Sequence, residues 1–344
     1  MRTSLLVCLS VIFLVGCSTN QPKGFVLQNT LVSEVWPLGS DLPRYRYIGE
    51  LHGEHVKDAL SSESIFDMIV GLITGKPEPI RLKRPYDIYV SSDNLVYVAD
   101  LALPGVLVFN LNDNTMSQWG GIESSSPFVA PVGLTGVGNE IFVVDTNLAK
   151  VLRFSKQGEL LGSFGSGELK RPIGIAFDPV NNYVFISDAG AHNIRVYTRE
   201  GSLIRTIGGQ GDAKGLFNHP SAIEFTDNKL YVSDTMNARI QILEPDNINA
   251  PIHTLGYRGL NIGNTPRPKG VSSDSDGNVY AVESYFGYLL VYNDKGEFLL
   301  PISGKGRDIG EFYLPSGVTV DDKDRVYLAD MFNGRIVMFQ YLGK

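Results

Sequence analysis

Two cysteines and five histidines are the residues best suited to nucleophilic or metal chemistry in this 344-residue chain, and their spacing argues against both. His52 and His55 form an isolated pair, His253 falls in a strand-like run, and only His192 and His219 fall in turns that would share a face. A zinc centre commonly needs three or more protein ligands. Neither a Gly-x-Ser-x-Gly nucleophile turn nor a Cys-x-x-Cys-His haem motif occurs. Asp274, Asp276, Gly277 and Asn278 have the composition of a calcium loop, but also that of a hairpin turn, which needs no ion. Gly208, Gly209 and Gly211 sit in a recurring connection, which explains them better than a phosphate cradle does. The expectation is therefore no catalytic set, no metal and no cofactor.

The charged residues that do recur are acids and arginines. Prolines at 85, 131, 172, 220, 268 and 315 recur every 41 to 48 residues, and an acid follows each by 14 to 16: Asp100, Asp145, Asp188, Asp234, Glu283 and Asp330. A residue present in every unit is most economically a structural part of the unit. Asp234 with Arg239, Asp330 with Arg335 and Asp145 with Lys150 are the pairings this spacing suggests. Arg84, Arg171 and Arg267 stand immediately before their prolines, and His219 takes that place in the fourth unit. Together they would make a cationic rim suited to an acidic ligand or partner.

What must position these residues is a small repeated sheet. Within Arg171 to Gly208, the segments GIAFD, NYVFISD, NIRVY and SLIRTIG are short, apolar and β-branched, divided by turns such as DPVNN and TREGS. They read as a four-stranded antiparallel meander, with no helical period between strands. Six such sheets predict an all-β fold, a six-bladed β-propeller with four-stranded blades. In it, the turn between second and third strands and the link to the next blade emerge on one face. That face collects His192, His219, Arg258, Arg267, Tyr285, Phe286 and Tyr288, which with Arg84 and Arg171 are the candidate partner-binding residues.

The unit resembles the NHL repeat, with its Pro-x-Gly-Ile/Val-Ala-x-Asp strand, Val-Tyr-Val-Ala-Asp strand and Asn-x-Arg-Ile-x-Val-Phe strand. The likeness runs from Arg84 to Gln340 and is closest in VYLADMFNGRIVMF, from Val326, and LYVSDTMNARIQIL, from Leu230. It is weakest in the first and fifth units, where Ala102 to Gly105 and the Glu283 to Tyr288 segment depart from the pattern. The resemblance implies the propeller and leaves activity open, because the scaffold serves protein, RNA and peptide binding as well as a few lyases. The amidating lyases that share this propeller use several metal-binding histidines, for which no matching set exists here.

The last unit ends after three strands, which would leave unpaired backbone groups at a blade edge. The run PRYRYIGEL, Pro43 to Leu51, resembles the outer-strand endings of other units and is expected to be the closure strand. Val35, Trp36 and Pro37 ahead of it resemble a Trp-Pro lead-in of bacterial exported relatives. Residues 52–82 repeat nothing. Ser64 could cap a helix carrying Ile65, Met68, Ile69, Leu72 and Ile73 on one side, a lid on the propeller, a partner-binding element or a membrane contact.

The amino terminus is a targeting segment. Its apolar run, Leu5 to Val15, is far shorter than the roughly 20 residues a membrane-spanning helix needs. Its end, Leu14-Val15-Gly16-Cys17, resembles the bacterial lipobox, which implies acylation of the Cys17 thiol and cleavage before it. Cys8 would then be lost with the leader. Ser18, rather than Asp, resembles the signal for the outer membrane. The expected organisation is a signal peptide over 1–16, a lipidated tether over 17–34 and a propeller over 35–344.

The formal net charge of −7, without a basic tract, argues against nucleic acid. The expectation is a bacterial cell-envelope lipoprotein, lipid-anchored to the outer membrane, that binds or assembles envelope or periplasmic proteins without catalysis. A small molecule or carbohydrate is the other ligand class, and a metal-dependent lyase or hydrolase acting at the channel face is the alternative function.

Overall fold

The structure, a computed structural model, describes residues 23–28, 31–55, 78–121, 126–247 and 252–343. Cys17, the leader and the helix proposed around Ser64 to Ile73 lie outside the described residues. Apart from one short 3-10 turn, Thr235–Asn237, every regular element described is a β-strand. The strands form six antiparallel sheets. Their innermost strands, Pro85–Val90, Pro131–Val137, Pro172–Asp178, Pro220–Thr226, Pro268–Ser273 and Val318–Val320, pack in sequence, and the last returns to the first. The result is a closed ring of six blades around an axial channel.

Why these sequences make blades follows from the two-residue period of a strand. In Leu95–Asp100, Tyr97 and Ala99 face the second blade, while Val96 and Val98 face the sixth. Both sides are covered, so the middle strands read as continuous apolar runs, as strands buried on two faces do. Six such interblade cores follow one another around the ring. Each buried Val, Leu or Phe in them stabilises the ring by about 1.5–3 kcal/mol relative to exposure.

The sixth blade is built from both ends of the propeller. Arg325–Asp330 and Arg335–Tyr341 supply middle strands, and Tyr45–Leu51 pairs antiparallel with the latter, from Tyr341↔Tyr45 to Ile336↔Leu51. Val35–Trp36 adds a fifth strand outside it, with Trp36 buried edge-on to Phe339 at 5.3 Å. At the other side of the joint, Lys23–Gly24 pairs with Thr115–Gly120 as a fifth strand of the first blade. Phe25 is buried beside Phe109 at 5.2 Å.

The stretch 23–28, read from sequence as part of a tether over 17–34, therefore lies on the propeller. Its one large aromatic fills the core between the last and first blades, and its partner strand is too distant in sequence for local pattern to announce. The two ends of the 52–82 segment are also pinned together, by the Gly53↔Arg81 bridge and the hydrogen bonds Glu54 N to Ile80 O and Leu82 N to His52 O.

Candidate functional site

The recurring acids hold the turns. In the first blade the Asp100 carboxylate accepts the backbone N–H groups of Lys83, Arg84, Ala102 and Leu103 at 2.7–3.1 Å. Asp145 and Asp188 make the same four-amide set. In the fourth and sixth blades side chains replace part of it. Arg239 donates to Asp234 and Arg335 to Asp330, each helped by an asparagine three residues after the acid. Asp145 is satisfied by amides, and although Lys150 pairs with it in the strand register, no ion pair between their side chains is present among the described residues. These carboxylates are fully buried. By tying the residues before each proline to the next turn, they display the arginines on one face of the disk.

The Pro-x-Gly step after them shapes the channel. The inner strands of the first five blades bulge there, between Pro85 and Asp87 for instance, which turns the x residue toward the axis. Tyr86, Val132, Ile173, Ser221, Lys269 and Ser316, one from each blade, line a waist of only about 20 Å³. In the four blades that have it, the glycine is in close contact with the neighbouring blade; the fourth blade has Ala222 there. A Cβ on Gly174 would stand 2.5 Å from the Ser221 carbonyl oxygen, and one on Gly317 2.7 Å from that of Tyr86. In the first blade Asp87 replaces the glycine, and its carboxylate accepts the Leu134 N–H of the second.

The two sides of the waist carry opposite charge. Toward the displayed face, Lys269 lies near Arg267 and Arg171. Burial and these two charges push its ammonium down to about 8. Burial pushes the Tyr86 hydroxyl up to about 12, with Asp87 adding to the rise and Arg171 and Arg267 opposing it. His192 and His219 pack edge to face at 4.5 Å, with the His219 backbone N–H donated to His192 Nδ1. Burial, His192 and Arg171 lower the His219 pKa. Beyond the waist is a cavity of about 210 Å³ with Asp87 and Glu224 in its wall. These come from the first and fourth blades, which face each other across the ring. Burial pushes both carboxyls up to about 7, despite hydrogen bonds to Glu224 from Ser272 and Ser273.

The structure thus brings Arg171, Arg267, His192 and His219 to one mouth. Arg84 departs from them, since its guanidinium lies over the Phe332 ring at 5.3 Å. Arg258 donates to the Met236 carbonyl at 2.8 Å. Tyr285 is exposed and edges against Phe286 at 4.9 Å. Phe286 is half-buried, and Tyr288 packs against the core between the fourth and fifth blades, which makes it a filler of the irregular fifth blade more than a contact residue. Around this mouth the turns and links of blades four to six also expose Met236, Tyr257, Leu260, Ile262 and Phe332. Asp274 accepts from Asp276, Asn278 and Tyr280, closing a hairpin turn. Among the described residues no group of three or more His, Cys, Asp or Glu is placed to hold a metal ion.

Sequence reasoning missed Lys269, Tyr86, Asp87 and Glu224. Asp87 could have been found as the one acid in a Pro-x-Gly glycine position. The other three carry no local signal.

No protein-family model matches the chain. NHL repeat-containing protein 2 of Gallus gallus is 24% identical over 222 residues, which cover 60% of this chain and 25% of that protein. Its Bos taurus counterpart is 28% identical over 98 residues, 25% of this chain and 14% of that protein. The chain thus spans a quarter or less of the curated relatives it matches. Among solved structures, an auxiliary nutrient binding protein from Bacteroides thetaiotaomicron superposes with TM-score 0.59 at 12% identity, covering 76% of this chain and 70% of that one. A streptogramin B lyase superposes with TM-score 0.54 at 14% identity, covering 76% and 95%. At these identities the likeness is one of fold.

Proposed function

We propose, from the premise that this chain is an NHL-type six-bladed propeller, that it is a non-enzymatic binding module of the bacterial cell envelope. Its docking face is the one that carries the channel mouth. The observation that carries this reading is the concentration there of exposed Met236, Tyr257, Leu260, Ile262 and Tyr285 beside Arg171, Arg258 and Arg267. Aromatic anchors with arginines are the usual makings of a binding hot spot, and the cations suit a partner with an acidic surface. The lipobox-like Leu14 to Cys17 supports attachment of the module to the outer membrane. The fold likeness to an auxiliary nutrient binding protein agrees with a binding role. A second reading, lyase or hydrolase chemistry in the channel, is favoured by Asp87 and Glu224, two carboxyls poised near neutrality in one cavity.

The test is capture of envelope proteins by the full chain carrying a photocrosslinker at Tyr257 or, on the opposite face, at Asp322. Tyr257 crosslinks that disappear in a Tyr285→Ala/Arg258→Ala double variant of unchanged circular dichroism support the docking face. Crosslinks confined to Asp322 sink it.

A further inference from the structure

The channel mouth gathers cations that form no ion pair among the described residues, although Asp87 lines the same waist as Lys269 and Tyr86 and Glu283 lies near Arg267. Arg171, Arg267 and Lys269 make no ion pair and no side-chain hydrogen bond among the described residues, whereas most other arginines of the blades are engaged: Arg153, Arg199, Arg205, Arg239, Arg325 and Arg335 all face carboxylates. The one acid beside Arg267, Glu283, is occupied by three backbone amides. The Tyr86 hydroxyl, in the same waist as Lys269, also has no side-chain partner among the described residues. Like charges held together in a partly buried site raise the free energy of the unliganded state. An anion placed among them would relieve that repulsion.

We propose that this mouth is a binding site for one phosphate- or sulfate-class dianion, seated by Lys269 Nζ and the Tyr86 hydroxyl and clamped by Arg171 and Arg267. The site rests on the binding-module reading above and supplies the chemistry at the centre of its docking face. Two guanidinium forks, an ammonium and a hydroxyl present more donors and more positive charge than a single carboxylate uses, and they match the several oxygens of a tetrahedral dianion. The waist of about 20 Å³ is too small for such a group to pass. Glu224 below it and Asp87 at its edge add negative charge against entry as they ionise through about pH 7. The anion therefore stays at the mouth, and anything attached to it must extend outward over the aromatic face.

Isothermal titration of the full chain with sodium sulfate, inorganic phosphate and acetate at pH 7 tests this. Sulfate and phosphate should bind more tightly than acetate, and Lys269→Met should weaken sulfate about 10–100-fold, the loss of one charge-assisted hydrogen bond. Tyr86→Phe, which keeps the ring, should weaken it less. Sulfate keeps its charge across this range, so its affinity should fall by about tenfold per pH unit above pH 8 as Lys269 deprotonates, and Lys269→Met should abolish that slope. Absence of sulfate and phosphate binding, or unchanged binding in folded Lys269→Met, overturns the site. Such a result with Tyr257 crosslinking intact leaves the docking face standing. Sulfate binding without crosslinking does the reverse. Release of a crosslinkable partner by phosphate would identify the dianion as part of that partner, and retention would identify it as a free small molecule.

Discussion

Arg335 Nη1 lies 2.9 Å from Glu50 Oε1 across 285 residues of sequence, while its Nε lies 2.8 Å from Asp330 Oδ2. One buried guanidinium thus joins the closure strand to the turn of the blade it closes. His52 and Tyr47 add hydrogen bonds to the same glutamate. Burial alone would raise the Glu50 pKa. The His52 bond and the Arg335 charge outweigh it and hold the carboxyl at about 2.

Breaking this pair from one side leaves a buried charge unmatched. Glu50→Gln and Arg335→Met should each lower unfolding stability by about 3–5 kcal/mol in urea titrations at pH 7. Because the folded pKa of Glu50 is depressed, its contribution is present above its ordinary value of 4.5 and is lost as pH falls through about 2. The Glu50→Gln variant should therefore differ less from the parent at pH 2 than at pH 6. An equal difference at both would contradict this linkage.

Truncations separate the parts of the amino-terminal stretch. Removal through Pro22 takes none of the described contacts and should leave the melting temperature unchanged. Removal through Gln28 exposes the site of Phe25 and should cost about 2–4 kcal/mol. Removal through Leu51 takes the outer strand of the sixth blade, and cooperative unfolding should be lost. Indistinguishable melting of the last two forms would count against the closure.

The channel carboxyls act on stability in the opposite direction to Glu50. Their folded pKa values, about 7, lie above their ordinary values of 3.8 and 4.5. Their contribution is complete below about pH 4 and is lost as pH rises through 7. Between pH 5 and pH 8 the parent should lose about 1–2 kcal/mol per group, discounted for channel water. Asp87→Asn and Glu224→Gln should flatten that dependence in thermal scans, and a dependence unchanged in the double variant would show that neither group titrates there.

Gly174→Ala forces a Cβ to 2.5 Å from a neighbouring blade's carbonyl oxygen, whereas nothing lies within 4 Å of the Cβ position on Gly162. The first substitution should destabilise by about 1–3 kcal/mol through strain, and Gly162→Ala should be near neutral. Equal melting temperatures would show that the ring yields at the waist.

The blades were legible because their determinants are local and repeated: a proline, an acid 14 to 16 residues on, and two-residue alternation between them. The role given to the acids was legible for the same reason. Lys269 and Tyr86 were not, because the x position varies in type from unit to unit and its residues meet only when six blades close around the axis. Lys23 to Gln28 read as tether because the three-residue apolar run Phe25-Val26-Leu27 is too short to show a period, and its partner strand, Thr115–Gly120, lies far along the chain.

The seam between Tyr45–Leu51 and Arg335–Tyr341 also imposes an order on synthesis. The closure strand leaves the ribosome long before its partner. At roughly 5–20 residues per second, a nascent chain carries that exposed edge for tens of seconds before its complement exists. Blades one to five can form sequentially from local hairpins, but the ring stays an open arc until Arg335–Tyr341 arrives. A premature stop anywhere in the last blade would thus leave an intact set of sheets with a free edge, a species prone to pair with other chains. Emergence of Arg335–Tyr341, and not the folding of any single blade, sets the moment at which the ring becomes one cooperative unit.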